Sequence, residues 1–154
     1  MPALIGPRRN AVHSVKGLRL ALTTGVTAHE NGIACIDLDT GKLVPATTDP
    51  NLFPIGKFAD VGNGRLGDGT TAVKVRLFKE IWCEWVANDV GGTPVDEGDI
   101  GALCYMLNDQ TVTADDTSAS VAGRVWGVSA TKGVRVEYAM SMGPTGPTGP
   151  AGGG

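Results

Sequence analysis

Val73-Lys74-Val75-Arg76-Leu77-Phe78-Lys79-Glu80-Ile81-Trp82-Cys83-Glu84-Trp85-Val86 is the stretch on which the fold turns. Val73, Val75 and Leu77 fall on one face of an extended chain, and Lys74, Arg76 and Phe78 on the other. Past Lys79-Glu80 the alternation resumes, with Ile81, Cys83 and Trp85 against Trp82, Glu84 and Val86. A sustained period of two marks a strand. Phe78 and Trp82 make the second face apolar as well, so a covered second face is expected, with a subunit contact as the cover. Phe78, Trp82 and Trp85 are the expected subunit-interface residues.

Other segments carry the same signature. Leu18, Leu20 and Leu22 share a face, as do Val134, Val136 and Tyr138. Gly32 to Leu38 leads through Asp39-Thr40-Gly41 into Lys42-Leu43-Val44, the pattern of a hairpin. Val125 to Val128 and Val134 to Tyr138 flank a second short connection. No dozen residues show helical period, and Ser118 to Ala122 is the place for a single turn. The expected fold is all-β, a small barrel or sandwich of short strands. It comprises residues 18–142, preceded by an extended arm over 1–17 and followed by an irregular Gly/Pro tail over 143–154.

Gly32-Ile33-Ala34-Cys35-Ile36-Asp37-Leu38 looks like Gly101-Ala102-Leu103-Cys104-Tyr105-Met106-Leu107. Each is followed by a polar turn, a short strand and a Gly-basic-apolar strand, Gly56-Lys57-Phe58 or Gly123-Arg124-Val125. Structural repetition and chance are both open, because glycine followed by an apolar strand recurs in β proteins.

The 154 residues suit one domain or two very small ones, and 42% hydrophobic residues suffice for a core. A net charge of -3 points to neither a nucleic-acid nor a membrane-surface partner. No run approaches the roughly 20 apolar residues of a membrane span, and Met1 to Asn10 lacks the apolar segment of a secretory signal. Cys35, Cys83 and Cys104 are odd in number and lack C-x-x-C spacing, so they are expected to be reduced and buried, as in a protein made in a reducing cytoplasm.

Motifs with chemical overtones have plain counterparts. Asp39-Thr40-Gly41 matches the core of an aspartic-peptidase signature, in which paired carboxylates share a proton. Lys42 follows where that family has a small residue, and a hairpin turn explains the triplet. Gly62-Asn63-Gly64-Arg65-Leu66-Gly67 fits G-x-G-x-x-G but leads into a strand, with no helix N-terminus to receive a pyrophosphate. His13 and His29 have no partner at metal-ligand spacing. Asp96-Glu97 and Asp115-Asp116 lie in polar loops without a calcium-loop pattern. Trp82, Trp85 and Trp126 suit a carbohydrate platform, a core or a subunit interface. No catalytic residue, metal or cofactor is expected.

The tail, Gly143-Pro144-Thr145-Gly146-Pro147-Thr148-Gly149-Pro150-Ala151-Gly152, keeps a strict G-x-y period. Only Gly fits the axis of a three-chain collagen helix, and a polyproline-like linker is the simpler reading. The period points to threefold association.

From about Leu18 to Tyr138 the chain resembles the lambda-type phage capsid decoration, or cement, proteins. The resemblance rests on Gly32 to Leu38 with its Asp-Thr-Gly hairpin, on Ile55-Gly56-Lys57-Phe58, and on Ala122 to Val128 leading into Gly133-Val134-Arg135-Val136-Glu137. It implies a structural virion protein made in the host cytoplasm: a homotrimer on the outer surface of an icosahedral head, bound to the major capsid protein and stabilising it, with no active site. Arms of that family reach onto the capsid protein, which makes Arg8, Arg9, Asn10 and His13 the expected contacts. A trimeric virion fibre or spike component would share the trimer and tail, but calls for a longer repeat or coiled-coil stalk.

Overall fold

A computed structural model describes residues 17–78 and 83–138. The strands are β1 (Gly17–Ala21), β2 (Thr27–Ala28), β3 (Ile33–Asp37), β4 (Leu43–Pro45), β5 (Leu52–Ala59), β6 (Arg65–Leu66), β7 (Ala72–Leu77), β8 (Cys83–Asn88), β9 (Leu103–Met106), β10 (Thr111–Thr113), β11 (Val121–Ser129) and β12 (Gly133–Tyr138). Among the described residues there is no α-helix, and the fold is all-β as the alternation predicts. The single turn lies at Glu97–Asp99, a 3-10 turn capped by Asp96, whereas Val121 and Ala122 begin β11. Gly17, assigned to the arm, is the first residue of β1 and pairs with Arg76.

The long alternating stretch is two strands that serve different sheets. β7 pairs with β1 and β5, while β8 pairs with β12 and β10. Both strands have one apolar face, so the pattern runs on across the junction. Periodicity records a strand's faces but not which sheet it joins.

The chain folds as two halves of one topology. The first sheet runs β1-β7-β5-β3-β4, and the second, a closed barrel, runs β8-β12-β11-β9-β10. The second closes through parallel pairing of β8 with β10, in which Val112 faces Asn88. The first approaches closure at the matching place, where Leu22 bridges Leu43 in parallel and Thr23 N–H donates to Leu43 O at 2.9 Å. β2 and β6 form an added ribbon that the second half lacks.

The registers match residue by residue. Gly56 lies opposite Ala34 and Leu77, and Gly123 opposite Cys104 and Tyr138. Each half also carries one unpaired extra residue beside that glycine, Ile55 in β5 and Ala122 in β11. Val73 and Val75 of β7 correspond to Val134 and Val136 of β12, all four buried. The repetition left open by the sequence is therefore structural, with one adjustment. Cys104 corresponds to Ala34, not to Cys35. A slip of one residue reverses the face of a strand, and Ala34 and Cys35 do serve different cores.

Ala34, Leu43, Ile55, Phe58, Val73, Val75 and Leu77 fill the first half. Cys104, Met106, Val112, Val125, Val134 and Val136 fill the second. Ile33 and Cys35, on the other face of β3, join the second core and tie the halves together. Cys35 Sγ lies 3.5 Å from Met106 Sδ, and Ile33 N–H donates to Asp109 O at 2.7 Å. Ser120 Oγ accepts from Leu52 N–H at 3.1 Å and donates to Asp49 O at 2.7 Å. Lys57 of β5 pairs with Glu84 of β8, which also accepts the Tyr138 hydroxyl. Burial, reinforced by Glu84, raises the Tyr138 pKa well above the usual phenol range.

Gly56 and Gly123 are required by close approach. A Cβ at Gly56 would lie 2.1 Å from Arg76 O, and one at Gly123 would lie 2.0 Å from Glu137 O. Gly56→Ala and Gly123→Ala are each expected to destabilise the protein by about 1–3 kcal/mol, since strand backbone must move. Gly91→Ala, with no atom near its would-be Cβ, is expected to fall within about 0.5 kcal/mol of the parent. Urea unfolding of the three variants checks this.

Candidate functional site

The outer face of the β8-β12-β11 sheet is where the second half departs most from the first. Cys83 and Trp85 of β8 point outward there, beside Arg135 and Glu137 of β12. Trp126 joins them because β11 bulges: Val125 pairs with Val136 and Gly127 with Arg135, which leaves Trp126 as the extra residue. Such a bulge re-aims a side chain and bends the strand. Trp126 is 49% exposed and Trp85 39% exposed, unusual for indoles away from a binding surface.

Polar groups hold the two rings in place. Trp126 Nε1–H donates to Glu137 Oε1 at 3.0 Å. Lys132 Nζ sits 5.6 Å from the centroid of the Trp85 ring, within cation–π range. Gly127 leaves room for the Trp85 ring, since a Cβ there would lie 3.3 Å from it. Cys83, Trp126, Arg135 and Glu137 line a hollow of about 310 Å³, and Trp85, Lys132 and the β11–β12 turn line another of about 480 Å³. Rigid aromatic surface ringed by charged groups is the chemistry of a protein-docking patch.

The matching face of the first half has a different character. By register, Trp85 corresponds to Arg19, Arg135 to Lys74, Glu137 to Arg76 and Gly127 to Ala59, and the bulged Trp126 has no counterpart. One scaffold thus presents an aromatic face in one half and a cationic face in the other.

The expected site residues separate. Trp85 is on the aromatic face, but Phe78 is not. Phe78 is 2% exposed and stacks on Tyr138 with centroids 3.8 Å apart, so its ring is spent inside the chain. It stands where the chain leaves β7 for the second half, and the second core absorbs it. Trp82, Arg8, Arg9, Asn10 and His13 lie outside the described residues, as do most of the arm and the Gly-Pro-Thr tail. Glu137, Arg135 and Lys132 were not singled out from sequence. The strand of Arg135 and Glu137 was legible, but the bulge that sets Trp126 beside them has no local signature.

The remaining motifs are turns. Asp39 is exposed at the β3–β4 connection, where Asp37 Oδ1 accepts its N–H at 2.9 Å and Gly41 takes φ 73°. Gly62 to Gly67 passes through β6 and leads to β7. No group of three or more His, Cys, Asp or Glu that could hold a metal ion occurs among the described residues. The chain matches no protein-family profile, no curated protein and no solved structure.

Asp89, at the end of β8, organises the loop beyond. Its carboxylate accepts from the N–H groups of Gly91, Gly92 and Thr93 and from the Thr113 hydroxyl. These bonds, led by that from Gly91, hold its carboxyl below the usual range. A depressed folded pKa stabilises the fold above the unfolded value of about 3.9 and is lost as pH falls through the folded value. The melting temperature is therefore expected to drop on acidification below about pH 4, and Asp89→Asn should flatten part of that drop.

Burial pushes the Cys104 thiol up to about 12 and the Cys35 thiol higher still, so neither forms the reactive thiolate near neutrality. At pH 8, iodoacetamide is expected to spare Cys35 and Cys104 in the native protein and to alkylate both in guanidinium. Peptide mass mapping, with half-buried Cys83 as the accessible comparison, reads the result.

Proposed function

We propose that this chain is a structural decoration protein that binds the outer surface of an icosahedral phage capsid as a homotrimer and stabilises the shell. The observation that carries the reading is the pair of exposed indoles, Trp85 and Trp126, held on a rigid sheet and surrounded by Lys132, Arg135 and Glu137. Aromatic anchors on a preorganised strand surface favour protein contact, because little side-chain entropy is lost on docking. The capsid protein is the partner assigned to this face. The resemblance described from Leu18 to Tyr138 supplies the icosahedral setting, and the G-x-y tail supplies the threefold association.

In this reading the work is mechanical. The halves are tied by the β3 face, by Lys57–Glu84 and by Phe78–Tyr138. A rigid body that bridges neighbouring capsomers transmits load between them, and three copies of one surface raise effective concentration at a threefold site. The arm, with Arg8, Arg9, Asn10 and His13, adds a second contact to the same shell.

The test mixes purified protein with undecorated heads and measures bound copies by co-sedimentation. Trp85→Ala with Trp126→Ala is expected to lower occupancy at least tenfold, a loss of about 1.4 kcal/mol or more per site, while circular dichroism stays unchanged. Decorated heads are expected to release DNA at a higher temperature than bare ones. Equal release temperatures would remove the cement role.

A further inference from the structure

The outer face of the first half is costly for an isolated chain. β1 sets Arg19 directly opposite Lys74, and β5 sets Lys57 directly opposite Arg76. Like charges placed opposite one another across a sheet repel. Lys57 is relieved by Glu84, and Arg19 lies 3.8 Å from Asp60 in a pair exposed on both sides, which is worth little in water. Lys74 and Arg76 are exposed and form no ion pair among the described residues.

The second half carries the opposite charge. Residues 83–138 hold three cations and nine acids, a formal charge of -6, whereas residues 17–78 hold six of each. Five of the nine, Asp96, Glu97, Asp99, Asp115 and Asp116, lie on two neighbouring connections, 89–102 and 114–120. Ala114 N–H donating to Thr93 O at 2.9 Å holds those connections together, as does Thr113 on Asp89. The duplicated scaffold is therefore electrostatically polarised along its own chain.

We infer that the cationic β1-β7 face of one copy docks on the acidic end of the second half of the next copy. This deepens the homotrimer reading and rests on it. The charge complementarity is between two surfaces of the same molecule, so the contact is head to tail. A heterologous contact of that kind closes into a ring when its rotation permits, and three copies give the threefold ring. Opposite charges meeting across the contact remove the like-charge repulsion of Arg19, Lys74 and Arg76, and complementary fields set the register of docking. The aromatic face is left free for the shell.

The test is a charge swap in the full-length chain, read as mass in solution by light scattering and sedimentation velocity at low salt. The parent is expected at three times the chain mass. Lys74→Glu with Arg76→Glu is expected to fall to one chain mass, as is Glu97→Lys with Asp116→Lys. These side chains are exposed and cap nothing, so circular dichroism should match the parent. The four substitutions together in one chain are expected to restore the threefold mass, which a merely misfolded variant would not do. A parent that is monomeric, single swaps that remain trimeric, or a fourfold variant that stays monomeric would each overturn the inference. Binding of any variant to nucleic acid or to heads instead, with the mass unchanged by the swap, would assign the cationic face to that partner and overturn it too. Head occupancy of the parent, measured separately, reports on the decoration reading: trimers that decorate heads yet ignore the swap remove this contact alone.

Discussion

The second face of β3 decides how the molecule holds together. A strand in a one-sided sheet would turn Ile33 and Cys35 to water, yet both are at most 1% exposed because the second barrel covers them. Their burial fixes the distance between the halves at van der Waals contact, as Cys35 against Met106 illustrates. Backbone groups left over at the seam then find partners across it, Ile33 on Asp109 and Leu52 on Ser120. Opening the seam would expose these groups together with the apolar residues, so the halves behave as one cooperative unit.

The repeated topology separates positions that packing holds from positions it leaves free. The interior positions answer to packing and stay apolar in both halves, as Val73 and Val134 or Val75 and Val136 do. Outward positions answer only to solvent or to a partner, so Arg19 and Trp85 can occupy the same place in the same scaffold. Where equivalent positions share a close backbone approach, even an exchange of glycine is closed off, as Gly56 and Gly123 show.

The strand content was legible because period-two alternation reports directly on a half-buried sheet, and Leu18 to Leu22 and Val134 to Tyr138 were assigned from it correctly. The repeat was visible too, but its register was not. Cysteines at 35 and 104 invited alignment with each other, while the ladder is anchored by Gly56 and Gly123. Sheet membership was also hidden, since Phe78 reads as a continuation of β7 and instead packs on Tyr138, 60 residues onward. Of the candidate site, the indoles Trp85 and Trp126 were legible as residue types, and the charged groups around them were not. Trp126 owes its exposure to a bulge in hydrogen bonding, which no residue pattern around it encodes.

Near-equivalent registers carry a kinetic consequence. Val-Lys-Val-Arg-Leu in β7 and Val-Arg-Val-Glu-Tyr in β12 present the same alternation to a partner strand that carries glycine at the same place. A chain collapsing from the unfolded state can therefore form β5 with β12, or β11 with β7, before the proper edges arrive. Such exchanged pairings satisfy the local ladder while entangling the connections, and they must unzip before the barrel can close. Synthesis from the N-terminus works against this trap. The first sheet has all of its strands before β8 emerges, which leaves β12 only its own half to join.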